Sequence, residues 1–262
     1  MSSYDTIKTS VENRVATITL DQPDKRNPLG FEESEEILDA IDGFEENDDV
    51  GCIVMTGEGS AFSAGGDIEE FSESMEKPSI EHLEEGDISI DLYKKASKMR
   101  KPLIASVNGH ALGGGFGMVA ATDLAIASEE AKFGMPEINL GLFPLVIMPL
   151  VTRAIGHKNT MDLALTGRIV EAEVVEDMGL VSRVVPDDEL EETTREMAEN
   201  IASKSPAALN VGKRAFYGTM DMELDKALEH ASSLRATTLK TEDLKEGTEA
   251  FLEDREPDWN GR

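Results

Sequence analysis

Two glycine-rich segments constrain this chain most strongly, because each follows a short apolar run and leads toward a predicted helix. Ala64-Gly65-Gly66-Asp67 comes after the run 52–56, and Leu112-Gly113-Gly114-Gly115 comes after the run 102–107. Such runs favour buried strands. Glycine lets backbone approach a ligand closely, and the first amides of a helix have no partner within it. Two such amides converging on one oxygen would form an oxyanion hole, whereas either loop alone could be a plain tight turn.

The remaining hydrophobic pattern alternates between strands and helices before becoming mainly helical. Further strands are predicted at 15–20, 124–127 and 131–134, and helices at 31–44, 67–75, 91–101, 118–122 and through most of 187–250. Residues 76–91 are acidic and irregular, which indicates a surface segment. This order predicts an α/β core followed by a helical C-terminal part.

Charge and cysteine content exclude several classes of protein. The 262 residues include 25 basic and 53 acidic side chains, a formal net charge of −28. Nucleic acids and anionic membranes both require a basic surface, so neither is an expected partner. The single cysteine, Cys52, excludes an internal disulfide and the cysteine-rich zinc sites.

The same charge predicts the solvent in which the protein works. Repulsion between acidic side chains opposes folding at low salt, and at about 1 M salt the Debye length falls to roughly 3 Å. We therefore expect adaptation to a high-salt cytoplasm, as in a halophile, with an ordinary acidic protein as the alternative. The longest apolar stretch, 138–151, is too short to span a membrane and contains Pro144 and Pro149. With no basic and apolar leader, a soluble cytoplasmic protein is expected.

Motifs of other enzyme classes are missing or incomplete. No phosphate-binding GxxxxGK[ST] or zinc-binding HExxH occurs, and no two histidines have metal-ligand spacing, so no metal site is predicted. The Gly113–Gly117 run lacks the acidic residue that a dinucleotide fingerprint requires in a following strand. Ser63 lies in a sequence close to GxSxG, but the preceding strand is expected to end near Thr56, which favours a loop of small residues over a nucleophile elbow.

Five segments taken in order carry a resemblance to a known family. They are DQPDKRNPLG at 21–30, IVMTGEGSAFSAGGDIEEF at 53–71, KPLIASVNGHALGGGFGM at 101–118, AKFGMPEINLGLFP at 131–144 and TEDLKEGTEAFLEDREPDW at 241–259. Together they resemble the crotonase family, the enoyl-CoA hydratase/isomerase superfamily, over nearly the whole chain.

The resemblance implies a fold, an assembly and a substrate class. The implied fold is α/β, a crotonase (ClpP-like) spiral of β-β-α repeats, with a core at 1–200 and a helical C-terminal trimerisation region at 201–262. Homotrimers that can pair into hexamers are expected. The substrate would be an acyl-CoA thioester, with no separate cofactor because coenzyme A is part of the substrate.

The resemblance also assigns roles to individual residues. By position, the backbone N–H groups of Ala64 and Gly114 would bind the thioester oxygen as it gains charge. The residues expected to line coenzyme A are Lys25, Arg26, Ala64, Asp67, Ile68, Gly114, Trp259 and Arg262. Alternatives are open for three of them: Arg26 as a solvated surface charge, Trp259 as packing of the tail on its own core, and Arg262 as a frayed terminus.

The catalytic carboxylates depart from the family pattern. Hydratases of the family use two glutamates; the second falls on Glu137, whereas the first falls on Gly117. Partial burial of Glu137 would raise its pKa and suit proton transfer near neutrality. Bulky apolar residues at 143–149 stand where hydratases usually have glycines, which predicts a drier acyl site.

These features predict an enzyme with one catalytic glutamate, acting on enoyl-CoA esters in fatty-acid or acyl-CoA metabolism. Double-bond isomerisation is slightly favoured over hydration. The alternatives are another crotonase reaction, such as thioester hydrolysis, decarboxylation or C–C cleavage, and a catalytically silent CoA-binding protein.

Overall fold

The strands form two sheets in a computed structural model that describes residues 4–67, 70, 72, 74, 75, 77–81 and 88–262. The larger sheet has the order β1-β2-β3-β5-β7-β10 and the smaller has the order β4-β6-β8-β9. The strands of the larger sheet are β1 (Ile7–Glu12), β2 (Val15–Leu20), β3 (Cys52–Gly57), β5 (Leu103–Val107), β7 (Leu124–Ser128) and β10 (Arg183–Val185). Those of the smaller sheet are β4 (Ala61–Ser63), β6 (His110–Leu112), β8 (Lys132–Gly134) and β9 (Ile169–Glu171).

Successive strand pairs divide between the two sheets. β3, β5 and β7 lie parallel in the larger sheet, and the strand that follows each of them, β4, β6 or β8, lies parallel to its counterparts in the smaller sheet. Each repeat therefore crosses from one sheet to the other before the chain turns back. This arrangement confirms the predicted α/β spiral.

Helices cover both faces of the larger sheet. The nine α-helices of the described residues are α1 (Phe31–Glu46), α2 (Ile88–Lys98), α3 (Gly114–Ala121), α4 (Met148–Thr166), α5 (Ala172–Met178), α6 (Leu190–Ala202), α7 (Pro206–Thr219), α8 (Leu224–Thr238) and α9 (Glu242–Glu253). None of these helices combines the length and apolar character that a membrane crossing needs.

The core explains why the central strands read as continuous apolar runs. All five residues of β5 are buried, as are five of the six residues of β3. The side chains on one face of the sheet, including Ile53 and Leu103, pack with α1 and α3. Those on the other face, Val54 and Ile104, pack against Ala198 and Ala202 of α6. A parallel sheet covered on both faces has no polar side to produce alternation.

Several elements differ from the predicted ones. Five strands and two helices, β1, β4, β6, β9, β10, α4 and α5, were not expected. Four of the strands have only three residues, too few to show a period, and β1 is largely exposed, so it has no buried face to produce alternation. α4 begins with a proline in its first turn and is kinked at Gly156, which hides its periodicity. The predicted helix at 67–75 and the acidic segment 76–91 fall partly outside the described residues, and residues 88–91 of that segment belong to α2.

Candidate active site

The two glycine loops lie side by side because the strands that precede them are neighbours. β4 and β6 pair in parallel, with Ser63 opposite Ala111, so the backbone that leaves one strand runs beside the backbone that leaves the other. Gly65 has φ +98, and a Cβ built on it would lie 3.0 Å from the Gly114 nitrogen. Only glycine allows this backbone conformation together with so close an approach.

Two backbone amides in these loops are free to bind an acceptor. Gly114 is the first residue of α3, so its N–H has no partner within the helix. A Cβ built on Gly114 would lie 3.5 Å from the Gly66 nitrogen. Neither N–H has a hydrogen-bond acceptor within the described residues. Gly66 and Gly114 therefore present adjacent unpaired donors, the arrangement that an oxyanion hole requires.

The amide of Ala64, assigned to the oxyanion hole from the sequence, is already occupied. It donates to the Arg26 carbonyl at 2.9 Å, and the Leu29 amide donates to the Gly65 carbonyl at 2.8 Å. The segment before α1 thus pairs with the loop like an extra strand and uses the Ala64 donor. The geometry corrects the assignment by two residues, from Ala64 to Gly66.

Glu137 brings a carboxyl group to the same turn. It lies in the short 3₁₀ helix Pro136–Leu140, directly after β8. Its Oε1 atom is 3.2 Å from the position that a Cβ on Gly113 would take. Its Oε2 atom is buried and has no hydrogen-bond partner within the described residues. Burial raises the pKa of the carboxyl, and the Glu137 amide offsets only part of this effect. Such a group is suited to proton transfer.

The position of the missing carboxylate is filled by neighbouring side chains. Gly117 lies one turn along α3, and a Cβ built on it would meet Cγ2 of Ile147 at 2.2 Å and the Tyr93 hydroxyl at 3.5 Å. That hydroxyl donates to the Gly114 carbonyl at 3.1 Å. Sequence reasoning missed Tyr93, although a tyrosine on the apolar side of a predicted helix is a signal, since a buried hydroxyl needs a partner.

Three of the expected coenzyme A residues lie around the first glycine loop. Lys25 and Asp67 form an ion pair with a 3.6 Å separation. Arg26 is exposed and has φ 62, and its carbonyl holds the loop through Ala64. Ile68 lies outside the described residues.

Trp259 and Arg262 contact the C-terminal helices. The Trp259 indole N–H donates to the Ser203 carbonyl at 2.9 Å, and its ring lies over Gly247, where a Cβ would come within 2.8 Å. The Arg262 carbonyl accepts from the Asp243 amide at 3.1 Å. Within one protomer these contacts support the packing alternative for Trp259, and they hold Arg262 in place rather than leaving it frayed.

Ser63 is a strand residue and not part of a loop. It ends β4 and is fully buried, and its hydroxyl accepts from the Gly65 amide at 3.2 Å. β3 ends at Gly57, as expected, but sequence reasoning missed β4, which follows after a short turn and contains Ser63. Burial nevertheless keeps the hydroxyl from acting as a nucleophile.

Comparisons with known proteins show the family to which the chain belongs. Residues 10–262 match the family model described as enoyl-CoA hydratase/isomerase. A probable mitochondrial enoyl-CoA hydratase of Dictyostelium discoideum is 39% identical over 98% of this chain and 91% of its own length. A short-chain-enoyl-CoA hydratase of Clostridium acetobutylicum is 34% identical over 93% of each chain. A crystal structure of an enoyl-CoA hydratase/isomerase from Mycobacterium paratuberculosis superimposes with a TM-score of 0.91 at 33% identity, covering 99% of this chain and 100% of that one. This chain, with its paired glycine loops and Glu137, belongs to the enoyl-CoA hydratase/isomerase family of enzymes.

Proposed function

We propose that this protein moves a double bond in enoyl-CoA thioesters, with one carboxylate as the acid and base. The observation that carries the proposal is the meeting of three unpartnered groups at one turn: the Gly66 amide, the Gly114 amide and the Oε2 atom of Glu137. The amides would bind the thioester oxygen, and Glu137 would transfer the proton.

The reaction needs no water. The Glu137 carboxylate takes a proton from C2 of a 3-enoyl thioester, and the electrons of the broken C–H bond delocalise onto the thioester oxygen as a dienolate. The two amides stabilise that negative charge. Glu137 then returns the proton at C4, which leaves the double bond between C2 and C3.

Coenzyme A recognition is proposed to follow the family pattern. Lys25 pairs with Asp67, and Arg26 holds the first loop through its carbonyl, so the three residues bring charged groups to this loop. Ile68 belongs to the same proposal by its place in the sequence. Trp259 and Arg262 would reach coenzyme A only across a subunit boundary, given their contacts within the protomer.

Hydration is the second candidate, favoured by the names of the Dictyostelium and Clostridium relatives. In this chain Glu137 would have to activate the water and deliver the α-proton alone, because Gly117 brings no carboxylate. General acid–base assistance contributes about 10²–10⁴ in rate, so its loss on one side favours isomerisation.

The oligomeric state and the salt concentration in which the protein works are proposed together with the reaction. Large apolar side chains are exposed on the C-terminal helices, among them Phe216 of α7, Leu228 of α8 and Phe251 of α9. These surfaces support a homotrimer or a hexamer built by residues 201–262 on a core of 1–200. The charge of −28 supports a protein adapted to molar salt.

The test is turnover of 3-hexenoyl-CoA and crotonyl-CoA in molar KCl by the wild type, Glu137→Gln and Glu130→Gln. Glu137→Gln should lose about 10²–10⁴-fold in isomerisation. Glu130 is exposed on the turn between β7 and β8, so its variant serves as a charge-matched control and should retain full activity. Crotonyl-CoA hydration by the wild type without isomerisation would contradict the proposal.

A further inference from the structure

Ile147 fills the space in front of Gly117. It is 4% exposed and directly precedes α4, where its carbonyl accepts from the amides of Leu150 and Val151, both at 3.0 Å. A Cβ on Gly117 would lie 2.2 Å from its Cγ2 and 2.7 Å from its Cβ. These atoms belong to a β-branched side chain with a stiff χ1, and not to a flexible tip that could move aside.

This filled space adjoins the proposed oxyanion turn. Gly117 is three residues beyond Gly114, and its N–H donates to the Gly113 carbonyl at 3.0 Å. The Tyr93 hydroxyl lies 3.5 Å from the position of a Gly117 Cβ and is directed to the Gly114 carbonyl. A carboxylate, or a water activated by one, would have to occupy the volume that Ile147 now holds.

We propose that Ile147 is a specificity-determining residue, which excludes a second carboxylate and its water from the Gly117 side of the site and thereby confines the enzyme to one-base chemistry. The proposal rests on the proposed function, in which Glu137 alone moves the proton. It also states a packing relation between Gly117 and Ile147 that can be measured without any substrate.

The experiment is a mutant cycle measured by melting temperature and by the two enoyl-CoA assays. Gly117→Glu alone should lower the melting temperature by on the order of 5 °C, because the new side chain overlaps Ile147. Gly117→Glu combined with Ile147→Ala should recover the part of that loss caused by Cγ2, since only the 2.7 Å approach to the Cβ of residue 147 remains, and should raise crotonyl-CoA hydration by about tenfold or more. Gly117→Gln with Ile147→Ala is the matched control, with equal shape but no acid–base group, and should show no such gain.

Ile147→Ala alone keeps the proposal testable if the double variant does not fold. It opens the space to water and should raise the ratio of hydration to isomerisation, whereas Ile147→Val, which keeps both γ-carbons, should not. Three results would overturn the role of Ile147. One is a Gly117→Glu variant that melts at the wild-type temperature, and another is an Ile147→Ala variant with an unchanged ratio of hydration to isomerisation. The third is equal hydration by the two double variants that carry Glu or Gln at position 117. Failure of the proposed function would be a separate result, because the wild-type enzyme itself would then not isomerise 3-hexenoyl-CoA.

Discussion

Glu137 combines a buried, unpartnered oxygen with a titrating group, so its ionisation affects both activity and stability. Burial raises the pKa of the folded-state carboxyl above its ordinary value. The stability that it contributes is therefore present below the unfolded pKa and is lost as the pH rises through the folded pKa. Glu137→Gln, which is always neutral, should melt at a higher temperature than the wild type at pH 7 while losing activity. The difference should vanish near pH 4, where both side chains are neutral.

Melting curves of the two proteins at pH 7 and pH 4 measure this prediction. Glu130→Gln is the control. Because Glu130 is exposed, this variant should melt at the wild-type temperature at both pH values. A Glu137→Gln variant that is less stable than the wild type at pH 7 would show that Glu137 holds an unrecognised hydrogen bond. The activity of the wild type should fall on the acid side, at a higher pH than an ordinary carboxyl would give.

At the scale of elements, α7 is joined to the sheet by a buried ion pair. Lys213 donates to Asp123 at 2.5 Å and to the Lys101 carbonyl at 3.0 Å, and Tyr217 donates to Asp123 at 2.8 Å. The Lys213 and Asp123 side chains are only 7% and 17% exposed. Lys213→Met leaves a carboxylate with little solvent, so we expect a loss of about 3 kcal/mol in unfolding free energy, and a melting temperature lower by roughly 6–12 °C.

Lys245→Met, in α9, provides the matched control for Lys213→Met. Lys245 pairs with Glu249 one turn along α9, and both side chains are largely exposed. Its removal should change the unfolding free energy by less than about 0.5 kcal/mol. Equal effects of the two substitutions in thermal melts would contradict a structural role for the Lys213 pair.

For the whole molecule, the net charge of −28 predicts that folding and the proposed assembly depend on salt. Unscreened repulsion acts between all acidic surfaces of a protomer, and a trimer would bring three such charges together. We expect dialysis from 3 M to 0.1 M KCl to lower the melting temperature and to dissociate the oligomer, as measured by thermal melts and size-exclusion chromatography. An oligomer and a melting curve that are the same at both salt concentrations would contradict adaptation to high salt.

The sequence by itself determined the family, the α/β spiral and the segments that meet at the site. Glycine runs and buried apolar strands are local properties, so the loop that holds Gly114 could be predicted from its own neighbourhood, whereas the roles of Gly114 and Glu137 came only from the resemblance to the family. β4 and β6 were missed because their pairing partners, not their short sequences, make them strands.

Only the tertiary structure decided which groups are free at the site. Ala64 and Gly66 are both small residues of the same loop, so the sequence does not indicate which amide is free. The pairing of the loop with residues 26–29 occupies the Ala64 amide and leaves the Gly66 amide unpaired within the described residues. Ile147 and Gly117 are thirty positions apart, and their overlap is visible only once α3 and α4 pack together. Hydrogen-bond occupancy and excluded volume are set by segments distant along the chain, so no local pattern of residues reports them.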